Sequence, residues 1–285
     1  MSANVAADPS AAPWVCPVCA APLRLEDGSY RCAAGHSFDR AREGYVNLLL
    51  SQHKKSRQPG DDKAMLAARR SFLEAGHYAA FSRAVTALLA TASGGDASPA
   101  VLDVGCGEGY YLRRLAADWP HATAPRLAGL DIARPAVRLA AKAQPAAHWA
   151  VASSYRIPLA DAAMDALLRL FAPADVAECR RVLRPGGYLL TAVPGPQHLL
   201  GLKQALYAEP QLHDAQEPLP EGFVLEAHQR LTGSLRLDTP QTIADLLRMT
   251  PFYWNVDQAT QTRVLALPQL ETPIEFALSL YRRLA

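Results

Sequence analysis

Cys16, Cys19, Cys32 and His36 follow the pattern C-x2-C-x12-C-x3-H. A CxxC turn aims two thiolates at one ion, and a second short-spaced pair completes a tetrahedron suited to zinc. Four protein ligands leave no open position, so such a zinc is structural. A hairpin of roughly 25 residues buries too little apolar surface to fold alone, and metal binding supplies the difference. A redox CxxC normally opens a helix after a strand. Here Pro17 lies inside the pair, and the third Cys and the His follow at zinc spacing. Cys179, in a helical stretch, reads as ordinary packing.

A second group lies in VLDVGCGEG at 101–109. An apolar strand runs into glycines and then into a helix. A dinucleotide fingerprint would read G-x-G-x-x-G and turn a helix N-terminus toward pyrophosphate. This loop is tighter, and Glu108 puts a carboxylate where phosphate would go. Asp103, Gly105, Gly107, Glu108 and Gly109 therefore suit a cationic ligand better. S-adenosylmethionine carries a sulfonium and an ammonium and no phosphate. Asp131 ends the next apolar run, RLAGLDI, where a carboxylate can accept both ribose hydroxyls. With the later turn Arg184-Pro185-Gly186-Gly187, these features point to an S-adenosylmethionine-dependent methyltransferase core.

Such residues need elements to hold them. Apolar runs at 100–105, 126–132, 148–153, 164–171 and 188–194 predict strands, and 109–118, 135–143 and 174–184 predict helices between them. That alternation predicts a doubly wound α/β fold with a parallel, Rossmann-like sheet. Ahead of it, Glu26-Asp27-Gly28 predicts the turn of a small zinc-binding β-hairpin, and 61–75 and 78–92 predict helices. Residues 196–235 are less regular. A helix near 239–249, a strand near 252–256, a short helix near 257–264 and a strand near 272–282 close the chain. The expected division is a zinc module at 14–45, a basic connector with helices at 46–100, and a methyltransferase domain at 101–285.

The 285 residues are half hydrophobic and one-fifth charged, with a net charge of +2 and five cysteines. That balance excludes a disordered chain, a disulfide scaffold and a generally basic nucleic-acid coat. No apolar run reaches the roughly 18 residues of a membrane span. Residues 1–13 lack a basic start and a leucine-rich run, so a cytoplasmic protein is expected. Near-neutrality hides local clustering. Arg24, Arg31, Arg40, Arg42, Lys54, Lys55, Arg57, Arg69 and Arg70 crowd the first quarter, where they suit RNA phosphates.

The stretches CPVC…C…GHSFD, REGYVNLL, QHKKSRQPGDD, ARRSFLEAGHY, VLDVGCGEGYY, VASSYRIPL, LRPGGYLLTAVPGPQHL and MTPF carry a resemblance. The core resembles class I S-adenosylmethionine-dependent methyltransferases, whose sheet is mainly parallel with an antiparallel last strand. The whole chain resembles the 23S rRNA (guanine-N1)-methyltransferases of the RlmA type, nearer their Gram-negative housekeeping form. The resemblance implies a 23S RNA hairpin as substrate, zinc on the four ligands, a homodimer and no membrane partner. It also implies cofactor contacts from Tyr78, Gly107, Glu108 and His198. The position after the third core strand, often acidic in methyltransferases, is Ser153 here, so Ser153 and Ser154 are expected at the adenine.

Guanine N1 carries a proton that must leave before or during attack on the methyl group. N1 also lies on the Watson–Crick edge, so the base must be unpaired or flipped. His198 and Asp39 are the candidates for a general base, and Tyr111 or Phe171 for stacking. Two other readings are a methyltransferase for a metabolite or quinone and a non-enzymatic zinc-dependent RNA-binding protein. The zinc module argues against the first, and the intact Asp103, glycine loop and Asp131 against the second. Replacing Cys16 and Cys19 by Ser should abolish RNA methylation and leave cofactor binding to the core largely intact, as read by methyl transfer and by calorimetry. The zinc hairpin and connector are expected to dock the RNA hairpin while the core methylates it, and surviving RNA methylation would remove that role.

Overall fold

A computed structural model describes residues 12–50, 52, 62–94, 98–214 and 218–285. The basic positions Lys54, Lys55 and Arg57 lie outside them. The amino-terminal module is a three-stranded antiparallel sheet of β1 (Arg24–Glu26), β2 (Ser29–Arg31) and β3 (Ser37–Asp39). The expected hairpin is β1–β2, and β3 extends it. β4 (Val46–Asn47) then leaves the module and pairs in parallel with the edge of the main sheet.

The main sheet continues through β5 (Ala100–Val104), β6 (Arg126–Asp131), β7 (His148–Val151), β8 (Met164–Leu170) and β9 (Leu183–Pro194). Two long strands, β10 (Phe223–Leu237) and β11 (Leu270–Arg283), complete it in the order β10-β11-β9-β8-β5-β6-β7-β4. Pairings are parallel from β4 to β9, while β11 runs antiparallel to β9 and β10 antiparallel to β11. The helices are α1 (Lys63–Glu74), α2 (Ala79–Ser93), α3 (Tyr110–Asp118), α4 (Arg134–Ala143), α5 (Val176–Val182), α6 (Leu200–Leu206), α7 (Pro240–Arg248) and α8 (Gln258–Leu265). This is the doubly wound sheet expected, with its antiparallel end. Among the described residues no helix is long and apolar enough to cross a membrane.

Successive β5 side chains point to opposite faces, as strand geometry demands. Val101 joins a buried cluster with Phe72, Phe81, Leu112, Val137 and Trp149. Leu102 and Val104 join another with Trp14, Cys16, Tyr30, Ile157, Cys179 and Val182. The zinc module thus shares with α5 the covering of one sheet face, where a helix would otherwise pack. Trp14 bridges to Leu159, and Val15 N–H donates to Pro158 O at 2.9 Å.

Two expectations change. The strand near 252–256 is instead a 3-10 helix, Pro251–Asn255. Pro251 fixes φ and lacks an N–H, and the sheet edge beside β11 is already taken by β10. The irregular stretch 196–235 holds α6 and most of β10. β10 is largely exposed, so hydrophobic alternation gives no signal there. Removing the Trp14 side chain, 1 % exposed, should cost about 3–5 kcal/mol, the range for a buried Trp truncated to Ala. Urea unfolding of Trp14→Ala measures it, and a loss near zero would mean that the module is not packed into the core.

Candidate functional site

Two turns bring the four metal ligands together. Ala20 N–H donates to Cys16 O at 2.8 Å, and Gly35 N–H donates to Cys32 O at 2.9 Å. Cys16 Sγ then lies 3.6 Å from His36 Nδ1, Cys32 Sγ 3.3 Å from the same nitrogen, and Cys19 Sγ 3.6 Å from Cys32 Sγ. All four donor atoms lie within 4.8 Å of one another. Zinc–ligand bonds of about 2.0–2.3 Å give tetrahedral edges of roughly 3.3–3.8 Å, so the cluster fits zinc. Asp39 is on β3, exposed, and accepts a hydrogen bond from Ser29 Oγ at 2.9 Å. It does not line the cleft of the core.

That cleft, of about 830 Å³, opens at the carboxyl ends of the parallel strands. The strand order reverses there, between β5 and β8, which is where doubly wound sheets bind ligands. Asp103, at the end of β5, is buried, and its Oδ2 has no hydrogen-bond partner. Burial, with Asp131 adding repulsion, pushes its pKa up to about 8. Glu108 is buried as well, its Oε1 unpartnered and its Oε2 3.8 Å from Arg113. Burial raises its pKa too, against the pull of Arg113. Asp131 ends β6 and is pinned from two sides. Gly107 N–H donates to Oδ2 at 2.9 Å and Ala133 N–H to Oδ1 at 2.7 Å.

The loop glycines do different work. Gly107 lines the cleft at φ +54°, and a Cβ there would meet only Arg69 Nη1 at 3.9 Å. Bare backbone therefore faces open space on which a ligand can lie. Gly109 does not line the cleft. A Cβ there would stand 2.8 Å from Trp149 Cη2 and 3.0 Å from Ala140 Cβ, so its role is close packing of α3's start. Gly105, Ser153 and Ser154 line the cleft. Ser153 Oγ accepts from Tyr155 N–H at 3.2 Å.

The other end of the cleft is aromatic. Tyr78, just before α2, packs edge-on to Phe276 with ring centroids 5.0 Å apart. His198 Nδ1 accepts from Glu275 N–H at 3.2 Å, which leaves the proton of the neutral ring on Nε2. That nitrogen lies 3.4 Å from Tyr78 Oη. Burial first, then His213 and Lys203, hold the His198 pKa down at about 3, so the ring is neutral. Of the two stacking candidates, Tyr111 packs edge-on to Phe81 at 5.4 Å, whereas Phe171 is 42 % exposed at φ +58°. Sequence reasoning missed Arg69, His213, Thr250, Phe252 and Phe276 on the cleft wall. The signal for Thr250 and Phe252 is the stretch MTPF, which contains both. Phe276 enters only because β11 runs antiparallel beside β9.

Buried, unpartnered carboxylate oxygens beside bare backbone fit a cationic ligand and would repel a phosphate. Residues 14–57 match a family model described as RlmA, N-terminal, and 101–187 match one described as Methyltransferase domain. A 23S rRNA (guanine(748)-N(1))-methyltransferase of Streptomyces fradiae is 38% identical, over 88% of this chain and 89% of its own length. A putative 23S rRNA (guanine-N(1)-)-methyltransferase of Micromonospora griseorubida is 39% identical, over 89% and 91%. The protein YxjB of Bacillus subtilis, with the same putative description, is 33% identical over 90% and 91%. The chain belongs to the 23S rRNA (guanine-N1)-methyltransferase family. In this guanine-N1-methyltransferase the core takes S-adenosylmethionine as cofactor, and the amino-terminal module takes a structural zinc. These three relatives come from Streptomyces, Micromonospora and Bacillus.

A cationic cofactor needs Asp103 ionised. Its affinity should therefore climb with pH from about 6 to a plateau near 8 to 9, because a group with a raised pKa must first release its proton. Asp103→Asn should bind weakly with little pH dependence. Calorimetric titrations across that range decide the point, and a flat wild-type profile would remove Asp103 from the cation site.

Proposed function

We propose that this protein transfers a methyl group from S-adenosylmethionine to N1 of a guanine in a hairpin of 23S ribosomal RNA, in the cytoplasm. The observation that carries the reading is one chain joining a zinc module to an acidic-and-aromatic methyl-transfer cleft, similar throughout to a relative over 88% of its length. A small-molecule substrate would leave the module's basic residues without a polyanion to meet, although the module also covers one sheet face. In domain terms the proposal assigns 14–45 to RNA docking, 46–100 to the passage into the core, and 101–285 to methyl transfer.

The cofactor supplies an electrophilic methyl on a sulfonium. Asp103 and Glu108 hold its cationic end, and Asp131 its ribose hydroxyls. Gly105 and Gly107 offer bare backbone, and Gly109 keeps the loop seated. Ser153 and Ser154 border the adenine. Tyr78 and His198 form the uncharged wall toward the methyl group. His198 acts there as a positioning donor rather than a base, since Nδ1 is taken and Nε2 holds the proton. Phe171, exposed at the mouth, stacks the extruded guanine. The chain's contribution would be to hold N1 against the methyl group: the S–CH3 bond breaks as N1–CH3 forms, and the N1 proton leaves to solvent at the open mouth, so catalysis is mainly by proximity.

Tritiated cofactor with unmethylated 23S RNA should place label in the RNA, and a panel of quinones and metabolites should stay unlabelled. In ribosomes from a strain lacking the protein, one primer-extension stop at a 23S guanine should disappear, because an N1-methyl group blocks pairing. Label confined to small molecules would overturn the reading. The homodimer expected of the family predicts a sedimenting mass near twice 30.8 kDa.

A further inference from the structure

A second cleft, of about 840 Å³, lies between residues 41–45, α1 and α4. α1 presents Lys63 and Arg70 to it, and α4 presents Arg134, Arg138 and Lys142. The α4 residues recur every four positions and so form one stripe along the helix. Arg42 adds a sixth cation from the chain leaving the zinc module. Among the described lining residues the single carboxylate is Glu43, and it is already committed. Arg138 Nε donates to its Oε1 at 2.7 Å, and that hydrogen bond is the largest cause of its lowered pKa. Arg134 is held in place, its Nε donating to Tyr45 Oη at 2.9 Å. The wall includes Leu66 and Leu139, which pack with Ala133 and Ala136.

Among the described lining residues, six cations against one carboxylate leave five positive charges in one cleft, in a chain whose net charge is +2. Facing stripes of like charge raise the energy of the free protein. They become favourable when an anion with repeated charges lies between them, and arginine forks suit phosphate oxygens. None of these residues lines the methyl-transfer cleft, yet the two clefts are lined by neighbouring positions of the chain. On α1, Arg69 lines the first and Arg70 the second. Asp131 lines the first, and Arg134, three residues on, the second.

We propose that this cleft binds the phosphodiester backbone of the substrate RNA strand beside the target guanine. The proposal rests on the RNA reading above. Each phosphate neutralised by a side chain adds about 0.7 to 0.9 to the slope of log Kd against log salt. With a 23S hairpin fragment, the full-length variant K63Q/R70Q/K142Q should lower that slope by roughly 2 to 3. RNA affinity at about 0.15 M salt should fall by tenfold or more, and KM for RNA should rise in step. Cofactor affinity should hold, which shows the variant to be folded. The control R236Q/R263Q/R282Q, three charges removed from β10, α8 and β11, should keep the wild-type slope. An unchanged slope in the first variant, or an equal fall in the control, would overturn the cleft assignment. Wild-type protein that leaves the hairpin unmethylated would overturn the RNA reading itself, and the cleft assignment with it.

Discussion

The indole of Trp149 is the seat on which the methyl-transfer cleft is built. It lies on β7 and presses against two glycines, and a Cβ on Gly129 would stand only 2.4 Å from it. Gly109 meets the same ring from the loop above. Its Nε1–H donates to Gln144 O at 2.9 Å, which fixes the ring's orientation. Because strand, loop and helix start close on one rigid ring, the ends of β5 and β6 are set relative to each other. Asp103 and Asp131 inherit their places from that contact. Interiors are packed like crystals, so a shift of one part moves the rest.

Electrostatic design follows from this seating. Three carboxylates share a crevice, and burial beside a second carboxylate favours the protonated form of the deepest one until a cation arrives. At the other end, His198 is kept uncharged between a backbone donor and a phenol. A charged ligand therefore has one favourable orientation, with its cationic part toward β5. The basic cleft beyond α1 repeats the logic with the sign reversed. Acid inside and base outside separate the demands of a small cationic ligand from those of a polyanion, a distinction that net charge alone conceals.

Much of this is legible in residue order. The metal ligands announce themselves because coordination geometry restricts spacing so strongly. The five central strands show as continuous apolar runs because both faces of a parallel sheet are buried. Asp103 and Asp131 can be read because each ends such a run. β10 is invisible because most of its side chains, on both faces, are exposed, and only Phe223, Leu235 and Leu237 near its ends are buried. The 3-10 helix at Pro251–Asn255 resembles a strand because its aromatic residues carry strand propensity, and Pro251 together with the occupied edge of β11 decides otherwise. Arg134, Arg138 and Lys142 look like the solvated face of a helix. Their meaning depends on α1 lying opposite, which local sequence does not encode. Gly109 reads as a ligand contact because loop glycines serve packing and access alike.

The pairing of β4 with β7 joins Val46 to Ala150, segments on the order of a hundred residues apart. Zinc capture, by contrast, closes within a stretch of local chain. During synthesis the metal module can fold as soon as it emerges, whereas the sheet edge it must cap does not yet exist. Trp14 and Tyr30 then present an apolar surface that waits for its partner strands. Biogenesis of this protein thus has an intrinsic order, metal first and sheet second. Its vulnerable interval, when chaperones would matter most, extends past β7 until Leu159 and α5, which cover Trp14, have been made.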